Sequence, residues 1–544
     1  MLFEPSDRNY SETITINSTI INPIEKKMLA GDTIEEDDVL YTSKYRTDNK
    51  IPGILVYSGQ TYGRHKEKML YKCVPNDRRL PIFLIPYLQK KSQFNKSKIN
   101  KFILFEFREW KEKHPLASIT NTLGDVNNKE IYYDYQLYCK NLHVPIQILN
   151  KKTTTALWDY KDADVFDSSD MENREDRDII SIDPEGSVDF DDALGVTTNT
   201  SGDSIVSVYI SNVSTVIERL GLWGDISDRV STIYLPSEKK PMLPSKLSDN
   251  ICSLLEGQRR AAVAMDIYIT ASGEITKVKY VNCVINVRKN YIYNEEVLDK
   301  CDMYSSLLLI SRSLNDKMKY VDNISDSHDV VAFYMILMNH NVGTYLAANK
   351  IGIFRNVSLK PSDTSCNVAP EVLRDYLKIY RNVEANYGLY SNNNRHDLIG
   401  TGVEHYSQVT SPIRRMVDLV NIMLLQDSNN NIKLSSEAKE FINKWTSSIE
   451  YLNESMRSIR RVQNDCNMLD YCLGSNNKNQ EYNGFVVGHS SKYDNYMVYI
   501  PEIKLTSYIK SESSLAIFEQ HRFTMHIFND EFSLKQKVRL QLIL

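Results

Sequence analysis

With 544 residues, 42% hydrophobic, 25% charged and a formal net charge of −5, the chain exceeds one ordinary hydrophobic core. Roughly three to four domains, or one large domain with smaller attachments, are expected. No apolar run approaches the ~18 residues of a membrane span, and the charge balance excludes a global electrostatic argument for nucleic acid, leaving only local ones.

Residues 1–45 are polar, carry the acidic stretch Glu35-Glu36-Asp37-Asp38, and read as an arm with modest structure. Met1–Asp7 has no basic region followed by an apolar core, so a cytoplasmic location is expected. Residues 46–165 hold short β-rich runs such as Gly53–Tyr57 and Ile82–Pro86 between Gly, Pro and Asn turns, the pattern of a small β-barrel. Lys90, Lys91, Lys96, Lys98 and Lys101 run there beside Phe94, Phe102, Phe105 and Trp110. Lysines interleaved with aromatics suit a single-stranded nucleic-acid groove; a solvated loop beside a core strand fits the same residues.

Residues 162–178, with eight acids and two arginines, read as a linker that repels RNA. Beyond it Val206–Ser211 alternates with period two, a half-buried strand. Val331, Tyr334, Met335, Met338, Val342, Tyr345 and Leu346 follow helical spacing, as do Ala438, Phe441, Ile442, Trp445, Ile449, Leu452, Met456 and Ile459. The middle of the chain is therefore mixed α and β. From residue 479 onward, Gly484–Val487, Tyr496–Ile500 and Val538–Leu542 read as strands of another small barrel. The eight cysteines stand singly, without zinc spacing, and read as reduced and structural.

Four aspartates, Asp183, Asp189, Asp191 and Asp192, fall within ten positions, interrupted by Pro184-Glu185-Gly186 and bounded by Ile179–Ile182 and Ala193–Val196. Acids embedded in core sequence repel one another, and a cation is the economical compensation. Hard oxygen ligands favour Mg²⁺ or Mn²⁺; since Mg²⁺ takes only one or two carboxylates, four acids could serve two ions. The calcium-loop pattern fails, because its glycine and distal glutamate are absent at their offsets. A purely structural acidic turn remains the alternative.

Thr410-Ser411-Pro412-Ile413-Arg414-Arg415-Met416-Val417-Asp418 reads as a helix start, with Ser411 as N-cap and Pro412 in the first helical position. Arginines oppose the dipole there, so an anion is expected, with phosphate the natural one. The plainer alternative pairs Arg414 with Asp418 along the helix.

Ile180-Ser181-Ile182-Asp183-Pro184 running to Asp189-Phe190-Asp191-Asp192-Ala193, with Thr410–Arg415, resembles the two signature motifs of the ribonuclease II (RNB) family, which includes the catalytic subunit of the eukaryotic exosome. Tyr234-Leu235-Pro236, Pro241–Pro244 and Leu247–Leu254 fit the resemblance, which extends across about 172–475. It implies an α+β, multidomain chain: a mixed α/β RNB catalytic domain at 166–478, a cold-shock or OB-like β-barrel region at 46–165 and a C-terminal OB-type RNA-binding barrel at 479–544. It further implies a processive hydrolytic 3′→5′ exoribonuclease releasing 5′-mononucleotides from single-stranded RNA. Asp183, Asp189 and Asp192 would hold Mg²⁺, two ions in the active state with Mn²⁺ as a substitute; Asp191 would be the most critical acid and Arg414 would grip the scissile phosphate. Tyr234 matches the aromatic that stacks on the terminal base, and Tyr293 a tyrosine associated with selecting RNA. Arg415, together with Arg457, Arg460 and Arg461 on one helical face, would contact RNA, although a solvated basic face has the same spacing. The expected partner is RNA with a free 3′ end, no membrane, and the protein a monomer. The length leaves no room for the extra N-terminal nuclease domain of exosome subunits.

Several positions depart from the family pattern. Ala332 and Phe333 stand where acids often precede Met-x-x-x-Asn, which puts discrimination of ribose in question. Asn212 replaces the family Asp, Gln408 the His before Thr-Ser-Pro, and Gln463 a Glu. No expected metal ligand is lost, so an enzyme is the leading expectation and an inactive RNA-binding or scaffolding relative the alternative.

Overall fold

The structure is a computed structural model that describes the whole chain except residues 11–13, 17–18, 36–37, 89–97, 161–164, 167–169, 360–369, 374–375, 378–382, 398–402, 430–432, 475–479 and 544. The chain forms two compact units. One comprises Met1–His143, Leu235–Glu238 and Arg460–Leu544; the other comprises Val144–Tyr234 and Lys239–Ile459.

In the first unit, strands Ile51–Leu55, Thr61–His65, Lys68–Pro75, Phe83–Tyr87, Lys101–Glu109 and Leu116–Asp125 make a six-stranded sheet. Ile51–Leu55 pairs with both Lys101–Glu109 and Lys68–Pro75, which closes five of the strands into a ring and leaves Thr61–His65 paired to Lys68–Pro75 alone. Alternate residues Ile51, Gly53 and Leu55 point inward. Gly53 is required there, because a Cβ would sit 2.8 Å from the Phe105 ring and 3.0 Å from the Cys73 sulfur. Contrary to the reading of residues 1–45 as an arm, Phe3, Tyr10, Ile21, Met28, Leu29 and Ile34 share the barrel's core with Phe83 and Phe105. Their apolar positions are spaced too irregularly to show as a strand or helix pattern.

Phe102, Phe105 and Trp110 are core residues and Lys101 is buried against Asp125 at 2.5 Å, so for these residues the core-strand alternative holds. Lys90, Lys91, Phe94 and Lys96 lie outside the described residues. The same unit contains a five-stranded antiparallel sheet of Gln480–Ser490, Asn495–Ile500, Leu505–Ile509, Gln520–Asn529 and Gln536–Leu542, packed on Val486, Val498, Phe523 and Met525.

The second unit is built on a seven-stranded sheet in the order Glu172–Arg174, Ile275–Asn286, Arg259–Ile269, Ser204–Ser211, Asp192–Thr198, Ile180–Asp183, Lys289–Ile292. The acidic "linker" thus ends in an edge strand: Arg174, 1% exposed, makes a two-pronged pair with Asp266 at 2.8 and 2.7 Å. Helices Asp302–Met318, Ser327–Ala348 and Met416–Ser428 bury Leu307, Phe333, Leu337 and Ile422 against Ile180, Ile182, Val208 and Ile210 of the sheet. Ser327–Ala348 starts at a reciprocal cap between Asp326 and Asp329. Phe333, one of the departures from the family pattern, is wholly buried in this core.

Two helical expectations shift. The helix after the arginines begins at Met416, not Ser411: Ser411–Arg415 is a turn in which the amides of Arg414 and Arg415 both bond Ser411 O. The residues from Ala438 to Ile459 divide between Ser436–Thr446 and Ile449–Gly474, separated by Ser447 and Ser448. Among the described residues the cysteines are free, and no helix is long and apolar enough to cross a membrane.

Candidate active site

The acidic loop leaves strand Ile180–Asp183 through the turn Pro184–Ser187, in which Gly186 takes a φ of +78° that its missing Cβ permits. It returns as strand Asp192–Thr198. Ser253, wholly buried, clamps the loop by accepting a bond from the Phe190 amide at 3.0 Å and donating to Val188 O at 2.8 Å. Arg260 in turn holds Ser253 O at 2.9 Å and the Asn250 side chain at 3.2 Å. The stretch Val188–Phe190 between the aspartates is thereby held by a side chain 63 positions downstream in sequence.

Each carboxylate has a distinct setting. Asp191, 3% exposed, accepts from the Ile413 amide at 2.9 Å and from Arg414 Nε at 3.0 Å. Burial nevertheless pushes its carboxyl up to about 7, with Arg414 and the Ile413 amide acting in the opposite direction. Asp183 is also raised to about 7, by burial first and by Asp189, and its Oδ2 is sealed from solvent without a hydrogen-bond partner. Asp192 lies well above the carboxylate range through burial and the nearby Asp183 and Asp191. Asp189 has both oxygens engaged, Oδ1 by Lys239 at 3.1 Å and Oδ2 by the Tyr234 hydroxyl at 3.3 Å.

The arginine turn is stitched to the segment ahead of Tyr234. Arg414 O accepts from the Thr232 amide at 3.0 Å and from Ser231 Oγ at 2.8 Å, and the Met416 amide bonds Val230 O at 2.9 Å. Tyr234 and Lys239 are direct partners across a two-residue antiparallel ladder, which sends both side chains to Asp189. Arg414 is thus paired with an internal anion, Asp191. Its Nη atoms have no partner among the described residues, and the side chain is 40% exposed. Asp191 and Tyr234 raise its guanidinium above the ordinary range against the effect of burial.

Arg415, not Arg414, pairs with Asp418, at 2.7 Å. The same Asp418 oxygen receives the Ser411 amide at 2.8 Å. Arg415 therefore braces the turn from behind. Tyr293 joins the site: its amide donates to Asp183 O at 3.0 Å, its ring packs on His328, and burial with Asp192 and Asp183 nearby raises its hydroxyl. Arg457, Arg460 and Arg461 lie exposed on Ile449–Gly474, the helix in which the division between the units falls, and form no ion pair among the described residues. Asn212 caps helix Val213–Arg219 and binds Ser214, Gln426 and Asn282, a neutral buried network that an Asp would charge. Gln408 receives the Tyr387 hydroxyl at 2.6 Å.

Sequence reading missed Lys239, Asp249 and Ser253. Their roles come from long-range pairing; Leu247–Leu254, which holds Asp249 and Ser253, stands out only as fitting the resemblance, and Lys239 has no local signal. The donor set fits a hard divalent cation: clustered carboxylates whose charged forms destabilise one another, with the Asp183 Oδ2 orphaned. It is not drawn together in advance, since among the described residues no three His, Cys, Asp or Glu side chains form a ready ligand set.

Residues 171–303 match the RNB domain model. This stretch holds the acidic loop, Tyr234, Lys239, Ser253 and Tyr293, whereas Arg414 lies beyond it. Ribonuclease R of Chlamydia trachomatis is 25% identical over 345 residues, 51% of this chain and 48% of that protein. The chain spans about half the length of the first curated relatives it matches, 48% and 57% for two chlamydial proteins. Among solved structures, Mycoplasma genitalium RNase R in complex with ribose methylated single-stranded RNA has a TM-score of 0.71 at 18% identity over 95% of both chains. Yeast Ssd1, a pseudonuclease, has a TM-score of 0.57 at 16% identity, covering 92% of this chain and 70% of that one. At such identities the structural likeness is one of fold, and it bears out the mixed α and β architecture with small barrels.

Proposed function

We propose that this chain, which resembles the RNB family, is a hydrolytic 3′→5′ exoribonuclease acting on single-stranded RNA and releasing 5′-mononucleotides. The observation that carries the reading is the Asp191–Arg414 pair. A buried carboxylate uses one oxygen on the Ile413 amide and the other on Arg414 Nε, so the guanidinium is fixed while its Nη atoms have no partner among the described residues. A guanidinium held this way presents a two-pronged donor to a phosphate. Asp191 is then a positioning residue for Arg414. Tyr234, tied through Thr232 and Ser231 to Arg414 O, offers a ring face for a terminal base at a fixed distance from that phosphate site. Tyr293 stands beside Asp183 and Asp192, where it would contact the sugar.

Asp183, Asp189 and Asp192 would hold Mg²⁺, with Mn²⁺ as a substitute and two ions in the active state. The ion supplies polarisation of the phosphodiester and activation of water. The chain's own contribution is charge placement: a cluster of buried acids faces a permanently charged arginine.

A second reading, an RNB-fold RNA-binding protein without turnover, is favoured by Lys239 seated on Asp189 and by the likeness to a pseudonuclease. Incubation of the purified chain with 5′-labelled single-stranded RNA and Mg²⁺ separates the two. A shortening ladder, lost with EDTA and in Asp191→Asn while RNA binding persists, is expected. Full-length RNA that is bound and never shortened would sink the nuclease reading.

A further inference from the structure

Lys239 is placed with unusual economy for a lysine beside a candidate metal site. Its Nζ lies 3.1 Å from Asp189 Oδ1 and 3.0 Å from Asp249 Oδ1, and its side chain is 26% exposed. The Tyr234 hydroxyl takes the remaining oxygen of Asp189. Each oxygen of Asp189 thus already accepts one donor, and the ammonium's charge opposes a cation at the same carboxylate. Asp249 supplies the place to which the lysine retreats, and it is set for that role: Ser248 Oγ donates to the same oxygen at 2.7 Å, at the head of the helical turn Leu247–Ile251. The ladder pairing of Tyr234 with Lys239 keeps the ammonium on the Asp189 side.

We infer that Lys239 is a built-in counter-ion of the acidic loop, competing with divalent metal for Asp189, and that Asp249 sets the outcome by offering Lys239 a second seat. The inference rests on the reading of the acidic loop as a metal site and goes beyond it. Lys239 is a positioning residue: it decides the concentration of divalent ion at which the loop fills, and in the ion's absence it offsets the charge of Asp189.

The competition has a signature that a merely structural lysine lacks, namely opposite shifts on the two sides of one side chain. Calorimetric titration of the full chain with Mn²⁺ alone reads it. Lys239→Met frees Asp189 and tightens Mn²⁺ binding about fivefold, the scale of one partly exposed ion pair. Asp249→Asn leaves Lys239 with Asp189 as its only anion and weakens binding by a comparable factor. In the double variant the Asp249→Asn penalty disappears, because there is no lysine to redirect. Lys239→Arg, which keeps the cation, stays near wild type. Mn²⁺ binding by Lys239→Met where wild type binds none supports the inference too.

Equal affinities in wild type and Lys239→Met overturn it. An Asp249→Asn penalty that persists in the double variant overturns it as well, since Asp249 would then be a ligand in its own right. RNA digestion by the same preparations keeps the two readings apart. Equal affinities with digestion intact remove the competition and leave the nuclease standing; no Mn²⁺ binding by any variant and no digestion remove both.

Discussion

The closed barrel of Ile51–Asp125 and the acidic loop of Asp183–Asp192 are both assembled from distant sequence, yet they bury opposite things. The barrel packs Phe83, Phe105, Ile85 and Ile103 at essentially zero exposure, and every such contact favours the fold. The loop buries carboxylates beside carboxylates, leaves one oxygen orphaned and answers with two internal cations, Arg414 and Lys239. One region maximises stability; the other holds an arrangement that the fold tolerates because the rest of the unit supports it.

Substitution should therefore separate the regions in opposite senses. Phe105→Ala, in the barrel, is expected to cost about 3–5 kcal/mol in denaturant unfolding of the first unit, with activity per folded molecule retained. Loss of activity without loss of stability would break the contrast. Asp191→Asn should do the reverse: turnover falls roughly 10²–10³-fold in single-turnover RNA digestion, while the unfolding midpoint holds or rises because a buried charge is gone. A strongly destabilised Asp191→Asn would make the pair a structural strut.

Acid acts on the two units through different groups. His396, buried against Tyr406 with Arg355 and Asp397 near, is pushed down to about 4, chiefly by burial and then by Arg355. The unfolded chain binds this proton below about 6.5 and the folded one only near 4, so stability rises with pH across that window and is lost on acidification through it. In the barrel unit Asp77 is depressed to about 2: burial opposes the shift, and hydrogen bonds from Arg79 and Tyr45 override it. Its contribution is present above about 3.8 and lost only as pH falls towards 2. Thermal melts between pH 7 and 3 should carry this loss against the opposite limb of Asp183 and Asp191, whose raised carboxyls favour the folded state as pH falls below about 7. His396→Gln should remove the acid-labile part, leaving the second unit less sensitive to acid than wild type. The smallest effect expected is from Ser253→Ala. It leaves the Phe190 amide unpaired and costs about 1–3 kcal/mol in stability, with a further loss of RNA turnover as the loop loosens; unchanged turnover would show that the clamp is dispensable.

What could be read in advance follows the same division. Strands such as Val206–Ser211 and the helix through Val331–Leu346 announce themselves by period, because one face is buried. The aspartate cluster and the arginine pair stood out because charge was embedded in apolar sequence. Illegible were features made by pairing across tens or hundreds of positions: Lys239 on Asp189, Ser253 under Phe190, Ile413 on Asp191. The helix start at Ser411 misled for a definite reason. Ser-Pro has the local chemistry of a cap, yet Asp418 draws the Ser411 amide into a turn and delays the helix to Met416.

That turn has a bearing on how mutational scans of this protein should be interpreted. Arg415 and Arg414 are neighbours, both basic, and an alanine at either should abolish function, so a scan would score them as twin ligand contacts. Arg415 is an internal fastener: its guanidinium shares one oxygen of the wholly buried Asp418 with the Ser411 amide. A loss of function there reports on the shape of the turn and carries no information about what the turn holds.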